Sequence, residues 1–125
     1  MNTATTVAGL REALSRWRAV GEDVALVPTM GALHDGHLSL VEIARRHADR
    51  VVASVFVNPT QFDRPDDFVR YPRDVARDQR LLSEAGVDVL FTPETGDMYP
   101  DGAVTFVSVE QLSGPLCGAH RPGHF

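Results

Sequence analysis

The sequence predicts an α/β fold with a mainly parallel sheet, on three observations. Apolar, strand-like runs alternate with amphipathic helical stretches, and the connections between them are short. The clearest strand, Val51 to Val57 (VVASVFV), is β-branched and lacks polar alternation, as in a parallel sheet covered on both faces.

The elements follow in chain order. Val7, Leu10, Leu14 and Trp17 fall on one helical stripe; Thr5 or Thr6 can cap its start, and Gly21 suits the position after its end. Val24 to Thr29 (VALVPT) reads as a short strand with Pro28 near its end, where a missing donor is tolerable. A helix from about Gly36 to His47 follows, with Asp35 as its cap and Leu38, Val41, Ala44 and Ala48 facing inward. Asn58-Pro59 ends VVASVFV, and Asp63 to Asp67 is a charged loop. Pro72 to Ala85 predicts a helix with Val75, Leu81 and Leu82 inward, stopped by Gly86. Val87 to Thr92 (VDVLFT) is the third strand, residues 93–102 a Pro-Gly-rich turn, and Ala103 to Val109 (AVTFVSV) the fourth strand. The final LCGAHRPGHF reads as a loop. With no internal repeat and no low-complexity linker, one domain is expected over residues 1–125.

Composition narrows the function. The chain has 125 residues, 43% of them hydrophobic, which is enough for a core. Seventeen acidic against twelve basic side chains give a net charge of −5, which argues against a general nucleic-acid-binding surface. Any anion site must then be local. The single cysteine, Cys117, excludes an intrachain disulfide, suits a reducing cytosol and reads as a small semi-apolar loop residue. No apolar run approaches the ~20 residues of a membrane span. Met1-Asn2-Thr3-Ala4 lacks the basic and apolar regions of a signal peptide, so a soluble cytoplasmic protein is expected, with no membrane and no nucleic-acid partner.

The chemistry concentrates in VPTMGALHDGHLSLVEIA, Val27 to Ala44, where a strand passes into a helix. Ligands of open parallel sheets bind beyond the carboxyl ends of the strands, and a helix N-terminus there offers unpaired N–H groups to phosphate. Gly31 and Gly36 have the G-x4-G spacing of a P-loop, but His37 and Leu38 stand where that motif needs Lys and Ser or Thr. A G-x-G-x-x-G fingerprint is also absent from this turn. H-x-G-H supports a different chemistry. His34 and His37 enter one turn apart, and Gly36 between them lets a flat base or ribose lie against the backbone. Imidazoles can hydrogen-bond phosphate oxygens and stabilise the charge that develops as phosphorus becomes five-coordinate, as nucleotidyl transfer to a carboxylate requires. As metal ligands, the two histidines lack a Cys pair or a further His, Asp or Glu at helical spacing, so no metal site is assigned. A purely structural turn is the other reading; His47 and His120 read as surface histidines.

VPTMGALHDGH, SVFVNPTQF, RYPR and RPGHF, in this order and spacing, resemble the pantoate–β-alanine ligase (pantothenate synthetase) family from Val24 to Phe125. H-x-G-H alone would indicate only the wider nucleotidyltransferase superfamily that includes class I aminoacyl-tRNA synthetases. The resemblance implies a Rossmann-like mononucleotide-binding fold and ATP with Mg²⁺. It also implies a reaction in which pantoate forms pantoyl adenylate and β-alanine displaces AMP; a homodimer is expected because apolar surface left bare in a chain half the family's length favours self-association. By motif, Met30, Gly31, Ala32, Leu33, His34, Asp35, Gly36 and His37 would form the ATP site, with His34 and His37 at the phosphates and His37 as proton donor. Gln61 would hold pantoate, since its amide both donates and accepts, and Met30 would wall the dimethyl group. Asn58, Tyr71 and Arg121 match positions near the site; read without the family, Gln61 is a surface loop glutamine.

Family members are about twice as long, and their G-E-K-D and S-S-R-N stretches, whose Lys, Ser and Arg clamp the triphosphate, do not occur here. The sequence therefore reads as the N-terminal portion of such an enzyme, truncated before the family's C-terminal part. Three functions compete: the ligase or its amino-terminal half, a non-catalytic nucleotide- or pantoate-binding fragment, and a class I nucleotidyltransferase acting on another acid. Gln61 within VNPTQF favours pantoate over the third; the absent clamp motifs favour the second for this chain alone.

Overall fold

Apolar side chains alternate along the strands and so face both sides of one sheet, which needs a helical layer on each side. The computed structural model describes residues 1–105, 107, 109, 111–115 and 117–121. The elements are β1 (Asn2–Ala4), α1 (Val7–Ala19), β2 (Val24–Thr29), α2 (Asp35–His47), β3 (Arg50–Val55), a 3-10 turn (Pro59–Gln61), α3 (Pro65–Arg70), α4 (Val75–Glu84), β4 (Val89–Phe91), α5 (Thr95–Met98) and α6 (Cys117–His120). The sheet order is β1-β4-β3-β2, and every pairing is parallel.

The alternation along β3 shows how the layers form. Val51 and Ala53 join Val27, Leu33, Val41, Ala44, Leu82 and Leu90 in the core beneath α2 and α4. Val52 points the other way, to Ala4, Val89 and Phe91, where Leu10, Leu14 and Trp17 of α1 cover the sheet. Thr6 caps α1 by accepting the Gly9 N–H at 3.1 Å. Pro28 is tolerated because β2 is an edge strand. Arg50 and Phe56 N–H donate to Asp23 and Thr29 C=O, so the alternating ladder turns the amide position of Pro28 to the open side.

The structure corrects several expected elements. No described residue of Ala103 to Val109 is in a strand, and Phe106 and Ser108 of that segment lie outside the described residues. The fourth strand is β1 instead; three residues are too few to show a periodicity, and β1 exists because β4 offers it a ladder. Asp63 to Asp67 is not all loop, since Pro65 opens α3 with Asp66 and Asp67 in its first turn, where Pro and acidic residues are favoured. The Pro72–Ala85 helix shortens to α4 because Asp74 caps it, accepting the Arg77 N–H at 2.9 Å. Val75 is exposed, not inward. Strands β3 and β4 stop at Val55 and Phe91, short of Val57 and Thr92. The 93–102 turn contains α5, and the C-terminal loop contains α6; Leu116 and residues 122–125, which include most of RPGHF, lie outside the described residues. Among the described residues no helix is long and apolar enough to cross a membrane.

Leu82 is fully buried between α4 and the sheet. Leu82→Ala should cost about 2–5 kcal/mol, whereas Val75→Ala should stay within about 0.5 kcal/mol; urea melts of the two variants check both.

Candidate functional site

β2 and β3 end side by side at Thr29 and Val55, and the chain crosses residues 30–34 to enter α2. The first N–H groups of a helix have no partner within it. Here His34 supplies one, and this corrects the expectation that Asp35 is the cap. His34 Nδ1 accepts the Gly36 N–H at 3.1 Å, and His34 N–H donates to His37 Nδ1 at 3.3 Å. The pair reproduces a reciprocal capping box with two imidazoles. Gly36 makes room for it: a Cβ there would lie 2.9 Å from His34 Cε1 and 3.1 Å from its Nδ1. Asp35 becomes the first helical residue, where a negative charge suits the dipole.

The rings sit 4.1 Å apart, centroid to centroid, at 49°. Since each Nδ1 accepts a backbone N–H, each neutral ring carries its proton on Nε2. The His37 pKa is lowered below 6.5, first by burial, then by His34, with Asp78 opposing. His37 is therefore a neutral donor at neutral pH.

His37 lines a cleft of about 540 Å³ together with Met30, Asn58 and Gln61, walled by Phe56, Phe91 and Met98. Gln61 ends the 3-10 turn that follows β3. Asn58 Oδ1 is committed to the Thr60 N–H at 3.1 Å, the Thr60 hydroxyl at 2.8 Å and the Tyr99 hydroxyl at 3.0 Å. What Asn58 has left to offer a ligand is its NH₂. Tyr71 and Arg121 line a separate cleft of about 290 Å³ that shares Met30. Leu33 is buried in the core and Gly31 faces a third cleft on the α4 side, of about 540 Å³; His34, Asp35 and Gly36 are exposed. From the Met30–His37 segment, then, the structure gathers Met30 and His37 with Gln61 and Asn58. Among the described residues no group of three or more His, Cys, Asp or Glu could hold a metal ion.

Sequence reasoning missed Asp78, which among the described residues is the one charged residue in the buried set, 1% exposed. Its carboxylate accepts the Ala32 N–H and the Leu33 N–H, each at 2.9 Å, and Arg77 Nη1 donates to Leu33 C=O at 2.9 Å. Ala32 has φ 52°, a left-handed conformation that costs a non-glycine residue about 1–2 kcal/mol. Hydrogen bonds to a charged group contribute about 1.5–3 kcal/mol each, so the carboxylate outweighs that strain. The signal was present: Asp78 falls on the inward stripe of α4 with Leu81 and Leu82, where a solvated acid would not.

A parallel sheet with a histidine-bearing turn at the carboxyl ends of its strands makes this a Rossmann-like α/β protein. A family model described as pantoate-beta-alanine ligase matches residues 2–125, and the chain belongs to that family. A pantothenate synthetase from Cereibacter sphaeroides is 56% identical over 96% of this chain and 43% of its own length. One from Acetivibrio thermocellus is 50% identical over 100% of this chain and 44% of its own. The crystal structure of pantothenate synthetase from Thermus thermophilus superposes with a TM-score of 0.87 at 58% identity, covering 100% of this chain and 44% of that one. That of pantoate-beta-alanine ligase from Francisella tularensis, complexed with beta-gamma ATP and β-alanine, gives 0.88 at 38% identity, covering 99% and 48%. The chain thus spans less than half the length of these relatives.

The lowered His37 pKa has a stability consequence. The unfolded chain binds the proton more readily, so the contribution of His37 is full above pH 6.5 and is lost as pH falls through the lowered folded value. NMR titration should place the His37 midpoint below 6.5, and His34→Ala should raise it, because His34 is among the causes that depress it.

Proposed function

We propose that this chain forms the nucleotide- and pantoate-binding half of an ATP-dependent pantoate–β-alanine ligase. The observation that carries this reading is the convergence of His37 with Gln61, Asn58 and Met30 on one cleft at the carboxyl end of the sheet. Family membership and the Francisella tularensis relative crystallised with beta-gamma ATP and β-alanine support it.

In this mechanism the pantoate carboxylate attacks the α-phosphorus of ATP, a new P–O bond forms and pyrophosphate leaves. The amine of β-alanine then attacks the acyl carbon of the adenylate, and AMP leaves as the C–N bond forms. A neutral His37 suits the first step. Its Nε2–H donates to a phosphate oxygen without carrying charge in the ground state, and the bond strengthens as negative charge grows there. His34 supplies a second Nε2–H from the adjacent turn position. Gln61 offers both donor and acceptor to the hydroxyl and carboxylate of pantoate, and Met30 an apolar wall to its methyls. Mg²⁺ would accompany the triphosphate; the described residues include no acidic group of three to hold it, so no step is routed through it.

A second reading concerns the chain taken alone. It contains neither G-E-K-D nor S-S-R-N, so the cations that would meet the outer phosphates are missing from it. By itself it should act as a binding fragment, with the α-phosphate held and the β- and γ-phosphates facing water. Exposed Leu26, Leu40 and Ile43 on β2 and α2 support self-association, in keeping with a homodimer.

In a full-length enzyme, His37→Ala should lower the rate by about 10²–10³-fold; pyrophosphate release within tenfold of wild type (about 1.4 kcal/mol) contradicts the role. Gln61→Ala in the same context should raise KM for pantoate far more than for ATP, and equal effects would remove Gln61 from the pantoate site. The isolated chain should bind ATP in the millimolar range, about −4 kcal/mol, elute as a dimer and form no pantothenate. Incubation with ATP, Mg²⁺, pantoate and β-alanine tests this; steady AMP release at about 1 s⁻¹ or faster overturns it.

A further inference from the structure

We propose that Asp78 and Arg77 are positioning residues that hold the His34–His37 pair and Met30 from behind, through the backbone of residues 31–33. The inference rests on the reading that this turn is the working part of the site.

The turn from β2 to α2 is held by side chains that come from far along the chain. Ala32 N–H, Leu33 N–H and Leu33 C=O are all bound by α4, across 44 to 46 residues of sequence. The carboxylate is 1% exposed, so water does not compete for these bonds. Packing closes the clamp from the other side. A Cβ on Gly31, at φ 82°, would meet Asp78 Oδ2 at 3.0 Å and Val55 Cγ1 at 3.1 Å, so the carboxylate occupies the space a side chain would need. Ala32, at φ 52°, keeps a conformation it would leave if released.

The chemistry calls for an acid. Two N–H donors converge on two oxygens, and an asparagine could answer only one of them while aiming its NH₂ at the other. Asp78 faces the cleft on the α4 side of the turn, whereas His37 faces the cleft that holds Gln61 and Asn58. Besides a direct charge effect on His37, which it favours protonated, Asp78 acts through the backbone: residue 33, which the clamp grips at both N–H and C=O, is bonded directly to His34. His34 in turn sets the His37 ring through their shared hydrogen bond.

The test uses this chain and requires no ligand. Asp78→Asn and Arg77→Gln are compared with Leu82→Ala, which opens a cavity in the core under the same helix but removes none of the hydrogen bonds to the turn. Amide exchange at Ala32 and Leu33 and the ring NMR signals of His34 and His37 at fixed pH are recorded for each. Asp78→Asn should speed exchange at both amides by about tenfold or more relative to β3 and move the ring signals of both histidines; the His37 titration is not used for this variant, because loss of the Asp78 charge lowers it directly. Arg77→Gln should do the same to a smaller extent, and Leu82→Ala should not. A destabilised Asp78→Asn protein with wild-type turn protection overturns the proposal. Should that variant not fold, Arg77→Gln decides, and histidine signals unmoved by it overturn the proposal equally. ATP titration of the wild-type chain is a separate arm: no binding there would sink the reading of the site while leaving the clamp result intact.

Discussion

A buried carboxylate on α4 governs the shape of the turn that ends β2, and the other features of the site follow from it. Two backbone N–H groups that no helix or strand could satisfy are answered by Asp78, at 2.9 Å each. Left unmade, each would cost about 1–3 kcal/mol in a buried place. With them made, Ala32 can stay left-handed, Leu33 can enter the core, and the chain emerges at His34 aimed to start a helix. The glycine at 31 belongs to the same arrangement, because the acid fills the space beside it. Helix α4 and the turn thus form one unit, though far apart in sequence.

The histidines illustrate how a site acquires donors without acquiring charge. The chain is acidic overall, with a net charge of −5, and the described cleft has no lysine or arginine among its lining residues. Capping uses the Nδ1 of both rings, which leaves Nε2–H outward, and burial keeps His37 neutral. A phosphate at this turn would meet N–H groups from imidazole and helix terminus together.

Much of the fold was legible because its strong signals are local. The apolar run at the centre became β3, a strand covered on both faces, and the stripes Val7–Leu10–Leu14–Trp17 and Val41–Ala44 became the inner faces of α1 and α2. What failed was short or conditional. β1 has three residues and is a strand only because β4 lies beside it. The segment expected as the fourth strand has β-branched residues to match, but no strand includes its described residues. Capping failed in an instructive way. Asp35 has the better side chain for a cap, yet His34 takes the position because Gly36 leaves room for its ring.

The sequence by itself determined the parallel α/β class and the strand-to-helix turn with its two histidines, because periodicity and residue chemistry are written locally. Met30, Asn58 and Gln61 carry no such local signal and stand out only through the resemblance of their motifs to a family; the fold brings them to one cleft with His37. The tertiary structure alone decided that Tyr71 and Arg121 face a neighbouring cleft, that Leu33 turns into the core, and that Asp78 stands under the turn. Those outcomes depend on which helix packs behind which loop. An aspartate 45 residues from Leu33 becomes its partner only when the sheet brings α4 against the end of β2.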